Sequence, residues 1–372
     1  MLELADIFDG THQTPNYKKE GIPFVSVENI SNIYDTTKYI SSEDYNELYP
    51  IKPQKDDILM TRIGDIGTPA LVTTNEQLAF YVSLALIRLK NTQVSPKYLY
   101  YYIQTNKFKN ELWNRTIHNA FPIKINKNEI GKCKVSYPSM NIQSKLINYM
   151  EIIDKKIRLS SEKLTLLKKY KEGIKKYVIK ETVKYWKTGV GNARYLSTYL
   201  KEVNEYCAND GSYQHVTLST DGISNKSERY DRDFLVKDEN KKYKITHLNQ
   251  LCYNPANLKF GVICLNKFGD GIFSPIYNTY NINGINEDYL ELILTSIDFR
   301  KYSLKFQQGT VYERMAVSSE DFCNIKIVVA DKLIQNKISM LSNYLNKKIS
   351  KLEDELTNLN QLKSNLLNNM FI

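Results

Sequence analysis

The side chains best suited to chemistry here are cations and hydrogen-bond donors in polar loops, and what they offer is contact with a polyanion. Toward the N-terminus these are Thr11, His12, Gln13, Lys18, Lys19, Arg62, Arg115 and His118. Further along they are Ser219, Thr220, Lys226, Arg229, Arg232, Asn257, Lys259, Lys267, Gln307, Gln308 and Arg314. Lys and Arg neutralise phosphates, while Arg, Gln, Asn and hydroxyl groups address base edges. Any one surface Lys is more often a solvated charge than a contact. Arg62 and Arg314 each sit near an expected turn, and a guanidinium there suits a bidentate contact to guanine. Arg62 has a second reading, an internal ion pair to Asp57 or Asp65. His12 is equally compatible with a base or phosphate contact and with a plain exposed loop. The Tyr100-Tyr101-Tyr102 run has helical spacing, which favours packing over base stacking.

Patterns for making and breaking bonds are missing. The five cysteines form no C-x-x-C pair and are odd in number, which argues against a disulfide framework or a zinc site and fits a reducing compartment. The four histidines do not cluster. No G-x-x-x-x-G-K-[ST] loop occurs, and Gly189-Val190-Gly191 lies in a linker and opens no βαβ unit. Asp56-Asp57 precedes a strand, but a solvated turn is the simpler reading than a nuclease site. The expectation is no catalytic residue, no metal and no cofactor in this chain. A net charge of +10 and a pI near 9.0 favour a nucleic-acid partner, although abundant Lys, Asn and Tyr also fit a compositional bias. Hydrophobic residues at 42% and charged residues at 25% suit a soluble globular protein with two or three domains. No apolar run nears the ~20 residues of a membrane span, and Met1–Gly10 holds no signal-peptide pattern, so a cytoplasmic location and no membrane contact are expected.

The elements that must position these loops are read from a repeat. Residues 143–180 align without a gap on residues 335–372, at an offset of 192. Identities include Gln143/Gln335, Lys155/Lys347, Ile157/Ile349, Leu164/Leu356 and Leu167/Leu359. Apolar residues recur at alternating steps of four and three. The first copy places Leu146, Met150, Ile153, Ile157, Leu164, Leu167, Ile174 and Val178 on one seam. The second places Ile338, Leu345, Ile349, Leu352, Leu356, Leu359, Leu366 and Met370 there. Two such seams in one chain can cover each other, and the intervening domain favours an antiparallel coiled coil. Lys171 and Lys363 fall at the same seam position. Either they lie in the seam, or the seam shifts so that Tyr170 and Leu362 face inward and both lysines snorkel; the shift is preferred.

The repeat extends upstream. Ser95-Pro96-Lys97-Tyr98-Leu99 opens an amphipathic helix to about Trp113, and Asn286 to Leu290 opens its counterpart to about Leu304. Glu129–Val135 and Asp321–Ile327 read as strands. Other strand candidates are Pro23–Val27, Asp57–Arg62, Ala70–Thr73, Ser83–Leu89, Tyr213–Leu218, Gln250–Tyr253, Gly261–Leu265 and Tyr277–Ile282. The fold class is α+β: two α/β domains in tandem, at 1–140 and 193–330. They are joined by two long helices, at 141–183 and 332–372, that form an antiparallel intramolecular coiled coil.

With the repeat in place, the sequence resembles the specificity subunits of type I restriction–modification systems. Gly10-Thr11-His12-Gln13-Thr14-Pro15, Gly21-Ile22-Pro23-Phe24-Val25 and Glu28-Asn29-Ile30 look like that family's opening pattern. Asp57 to Gly64 looks like its central strand and turn. In the second unit, Tyr253-Asn254-Pro255, Gly261 and Gly271 to Tyr277 look like the same region, and Pro138 to Lys180 is similar to the central helix. The lead-in before the first strand is shorter than usual for the family. The resemblance implies that each globular unit is a target-recognition domain for half of a bipartite site in double-stranded DNA. It implies that the coiled coil sets the spacing and docks modification subunits, two of them, which carry methylation with S-adenosylmethionine. Restriction subunits would join that assembly. The alternative is a coiled-coil scaffold with non-specific DNA affinity. Asn254-Pro255-Ala256-Asn257 is similar to the Asn-Pro-Pro-aromatic loop of amino-methyltransferases, but Asn257 stands where an aromatic would stack a flipped base, so a methyltransferase site is not expected.

Overall fold

The structure is a computed structural model that describes residues 1–208, 211–226, 242–308 and 315–371. Two compact units emerge: residues 1–161 with 354–372, and residues 162–353. Each unit takes a segment of both long helices; the first unit is built from two separate stretches of sequence and the second from one continuous stretch.

The first unit runs β1 (Ala5–Asp9), β2 (Ile22–Val25), β3 (Tyr39–Ile40), α1 (Ser42–Leu48), β4 (Ile58–Ile63), β5 (Asp65–Leu71), β6 (Ala79–Phe80) and β7 (Leu84–Leu89). Then come α2 (Pro96–Ile103), α3 (Asn106–Trp113), α4 (Lys127–Lys132) and the start of α5 (Met140–Thr188). Its main sheet is antiparallel in the order β1-β7-β4-β5. β4 is buried on both faces because each face has its own cover. Ile58 and Met60 join Ala85 and Ile87 against the helices, while Leu59 joins Leu84 and Leu86 against Phe24 and Phe80 from the small β3-β2-β6 sheet. Leu146, Ile147 and Met150 of α5 close the helix-side core, with Leu367 and Phe371 from the far end of the chain.

The second unit runs β8 (Ala193–Tyr195), β9 (Leu200–Val203), β10 (Tyr206–Cys207), β11 (Val216–Ser219), β12 (Gly222–Asn225), β13 (Tyr243–Thr246), β14 (Leu251–Tyr253), β15 (Ile263–Leu265), β16 (Gly271–Phe273) and β17 (Asn278–Ile282). Helices α6 (Glu287–Leu294), α7 (Ile297–Ser303) and α8 (Ser319–Cys323), strand β18 (Lys326–Val328) and helix α9 (Lys332–Met370) complete it. Its main sheet, β9-β17-β14-β15, repeats the first unit's order strand for strand.

The duplicated glutamine has a structural cause. Gln143 is fully buried; its Oε1 accepts from Ser95 N at 2.9 Å, and its Nε2 donates to Gln93 O at 2.8 Å and Pro138 O at 2.9 Å. Gln335 repeats the clamp, accepting from Asn286 N at 2.9 Å and donating to Ala330 O at 2.8 Å. Ser95 and Asn286 are the N-caps of α2 and α6. One amide side chain in each unit thus ties the first turn of a long helix to the start of a domain helix.

The long helices pair antiparallel. In the first unit Asp154 bonds Lys363 at 2.6 Å and Lys156 bonds Glu355 at 3.4 Å. In the second, Lys168 meets Glu353 at 2.7 Å, and Ile174 shares a core with Leu345. Every apolar seam position named above is buried or half-buried.

Several expectations are corrected. The seam does not shift at the lysines: Tyr170 is 55% exposed and Leu362 46%, while Lys171 and Lys363 are half-buried in the seam. Lys363 stays there because Asp154 faces it, and Asp154 also accepts from the Tyr101 hydroxyl at 2.9 Å. Glu129–Val135 is not a strand. Lys127–Lys132 is helical, and Ile130 and Cys133, three residues apart, both point into the core. In the second copy only Lys326–Val328 is extended, after a helix over Ser319–Cys323. The expected helix from Ser95 to Trp113 is broken at Thr105, which is buried and accepts from Phe108 N at 3.2 Å as a new N-cap. Ser296 breaks its counterpart the same way, capping Phe299 N at 3.2 Å. The first long helix starts at Met140 and continues to Thr188, five residues beyond the expected 183. Its last turns are held down by Thr182, which exchanges hydrogen bonds with Val328, and by Trp186 Nε1, which donates to Lys326 O at 2.7 Å.

Candidate nucleic-acid interface

In the first unit β1 and β4 end, and β5 and β7 begin, at one edge of the sheet. The loops carrying Thr11, His12, Gln13, Arg62 and His118 meet there. Thr11 is buried and bridges Tyr81, and its Oγ1 accepts from Gln13 N at 3.2 Å. That turn leaves His12 and Gln13 exposed. Lys18 and Lys19 are exposed at the approach to β2, with the Lys18 amide tied to Tyr39 O at 2.8 Å.

Arg62 is a correction. Its side chain is 8% exposed, makes a short ion pair with Asp9, and donates through Nε to Ile125 O at 3.1 Å. Neither acid expected from the sequence is its partner: Asp57 binds Arg88 at 2.6 Å, and Asp65 accepts from Thr61 at 3.1 Å. A buried, paired guanidinium joins β1, β4 and the segment before α4, and is not extended toward a groove. Arg115 is half-buried between Glu111 at 3.4 Å and Glu129 at 3.7 Å. Lys132, then Arg115, hold the Glu129 carboxylate below its ordinary pKa. His118 is exposed, with its ring centroid 4.3 Å from that of Trp113 and Nε2 3.0 Å from Trp113 O.

His118 belongs to a hairpin-like loop that sequence reasoning valued only at that residue. Ile117 and Lys124 pair across its base, Gly64 N donates to Ile123 O at 2.8 Å, and Ile125 N donates to Arg62 O at 3.0 Å. At its tip Phe121 is completely exposed. The signal in the sequence was an aromatic residue inside the polar turn His118-Asn119-Ala120-Phe121-Pro122, between two apolar stretches.

In the second unit the matching sheet edge gathers Asn257, Lys259, Gln307 and Gln308. Asn254 is buried and its Oδ1 accepts from Ala256 N at 3.1 Å and Asn257 N at 3.3 Å, so Asn254-Pro255-Ala256-Asn257 is a side-chain-capped turn. The turn presents Asn257 and Lys259 to solvent. Val317 N donates to Pro255 O at 3.1 Å and Gln308 pairs with Ala316, as Ile117 pairs with Lys124. Gln308 is exposed and donates to Asp321 at 2.8 Å, whereas Gln307 is half-buried. Three expected contacts lie elsewhere. Lys267 follows β15 at the opposite edge and pairs with Asp288 at 2.7 Å. Ser219 and Thr220 form the β11–β12 turn, where Ser219 is buried and donates to Gly222 O at 3.2 Å. Thr220 lines a cleft with Lys171, Lys175 and Lys267. Lys226 is half-exposed just after β12. Arg229, Arg232 and Arg314 lie outside the described residues.

Among the described residues no cluster of His, Cys, Asp and Glu could hold a metal ion, and no helix is long and apolar enough to cross a membrane.

Residues 2–169 match the family model of the type I restriction modification DNA specificity domain. Residues 2–169 therefore carry a domain of the DNA sequence-specificity class. The whole chain is similar in fold to a type I restriction–modification system S subunit from M. genitalium, with a TM-score of 0.64 at 13% identity, covering 100% of this chain and 94% of that one. It is also similar to a chain from a structure concerned with complex assembly and conformational transition of the type I R-M system, with a TM-score of 0.55 at 11% identity, covering 99% and 97%. The type I restriction modification DNA specificity domain is thus carried by residues 2–169, and its main-sheet strand order occurs a second time in the second unit.

Proposed function

We propose that each unit reads one half of a bipartite sequence in double-stranded DNA, and that the paired helices set the spacing and dock two modification subunits. The observation that carries this is the repeated sheet with its polar loops gathered at the same edge in both units. Reading two different half-sites calls for one architecture with two loop sequences. In the first unit His12, Gln13, Lys18, Lys19 and His118 are the contacts proposed; in the second, Asn257, Lys259 and Gln308. Ser219, Thr220 and Lys267 sit away from that edge and are not among them.

Docking is supported by an apolar stripe outside the seam. On α5 it includes Ile142, Tyr149, Ile152 and Leu159 in the first unit, and Leu166, Tyr170 and Tyr177 in the second. Leu333, Met340 and Tyr344 carry it on α9. Exposed Leu, Ile and Tyr recurring at heptad spacing suit packing against helices of another protein. Methylation with S-adenosylmethionine would then belong to those subunits, restriction subunits would join the same assembly, and this chain would contribute no catalytic group. The site of action would be the cytoplasm.

Replacing the second unit with that of a relative of different specificity tests the proposal. Methylome sequencing should show one half of the recognised sequence changed and the other retained. A change in both halves would refute independent reading. Binding that is sequence-independent with modification subunits present would favour a scaffold instead.

A further inference from the structure

Phe121 stands out among the exposed side chains. Its relative exposure is 104%, so its own unit buries none of it, and water is an unfavourable surrounding for a bare apolar ring. The loop holding it is braced at its base by the Ile117–Lys124 pair and by hydrogen bonds to Gly64 N and Arg62 O. Near it Trp113 is 55% and Ile117 39% exposed, and His118 packs on the Trp113 ring. The charge of the chain segment that carries this apolar tip points to what covers it. Residues 106–134 hold seven Lys and Arg (107, 109, 115, 124, 127, 132, 134) against two Glu (111, 129), a balance of 7 − 2 = +5. Both glutamates are already engaged by Arg115 and Lys132. An apolar protein surface would gain nothing from that excess of cations, whereas a duplex supplies phosphates for the lysines and stacked bases for the ring.

Building on the DNA-specificity reading, we propose that Phe121 is a wedge: it enters between two base pairs of the half-site read by the first unit, partly unstacks them, and so makes recognition depend on how easily that step deforms. Pyrimidine–purine steps, the easiest to unstack, are the expected target. Lys124 flanks the wedge as a phosphate contact, while Lys127 is paired with Asp9 at 3.6 Å.

The test uses the full chain. A duplex selected by it from a random pool is resynthesised with 2-aminopurine at single positions along the selected sequence. Wild type should raise the fluorescence at one step. Phe121→Ala should abolish that rise and weaken binding about tenfold. Phe121→Leu should keep most of both. Because an apolar contact releases no counterion, Phe121→Ala should leave the salt slope of binding unchanged, while Lys124→Ala should reduce it by about one. Equal affinity and an unaltered fluorescence profile in Phe121→Ala would overturn the wedge and leave DNA recognition standing. Failure of wild type to select any sequence would overturn the specificity reading itself, and the wedge with it. Loss of modification-subunit binding in Phe121→Ala, with DNA affinity intact, would make the ring a protein contact and also overturn the proposal.

Discussion

Replacing Gln143 by methionine removes a clamp without removing much apolar volume. In the wild type three backbone groups depend on this side chain: Ser95 N–H, Gln93 C=O and Pro138 C=O, all at 2.8 to 2.9 Å. The glutamine is 0% exposed, so water has no ready route to replace it. At about 1 kcal/mol net per bond, and more where a buried partner is left unsatisfied, the loss is about 3–5 kcal/mol. Gln335→Met breaks the two corresponding bonds, to Asn286 N and Ala330 O, and should cost about 2–3 kcal/mol. For units of this size that corresponds to a fall in Tm of roughly 5–15 °C. Calorimetry would read the shift. Hydrogen exchange followed by mass spectrometry would localise it, with protection lost around Ser95 in one variant and around Asn286 in the other. A Gln143→Met variant that unfolds within 1 kcal/mol of wild type and keeps protection around Ser95 would show that Gln143 is no clamp.

Arg62→Met should cost about 2–4 kcal/mol, because it leaves Asp9 with only its longer pair to Lys127 at 3.6 Å and frees Ile125 O; wild-type stability with altered sequence preference would instead make Arg62 a reader of bases. Lys171 is half-buried in the seam, and burial, followed by the nearby Lys175, pushes its pKa down. Lys171→Leu should therefore raise Tm by a few degrees, and a fall in Tm would show that the ammonium is favourably placed. His247 has Nδ1 2.9 Å from Asp270 and Nε2 3.0 Å from Glu205, and hydrogen bonds to Asp270 and then Glu205 raise its pKa above 6.5. A raised folded-state value means the contribution is complete below the unfolded pKa and is lost as pH rises through the folded one. NMR of the imidazole should show titration above 6.5, and a midpoint at or below that value would contradict the clasp.

The periodic parts of the molecule were legible in advance. Steps of four and three identify a helix seam from residue order alone, and Ser95-Pro96 announces a helix start wherever it occurs. Local breaks were less legible. Thr105 and Ser296 look like ordinary helical residues until each turns to cap the following segment, a choice made by burying Phe108 and Phe299. Short strands such as β8, β10 and β13 were not read because two to four residues carry too little periodicity. For the site, loop membership was visible, but which loops share a sheet edge was not. Lys267 and Asn257 are ten residues apart and lie at opposite edges.

By itself the sequence determined the duplication, the two amphipathic rods and the polar composition of the loops, because these depend on residue type and spacing along one dimension. Tertiary structure alone decided that Arg62 belongs to Asp9, that Lys363 belongs to Asp154, and that Phe121 is left bare. Pairing energies depend on distance and burial in space, and residues 53 and 209 positions apart, as 62 − 9 and 363 − 154, become neighbours only when strands and helices pack.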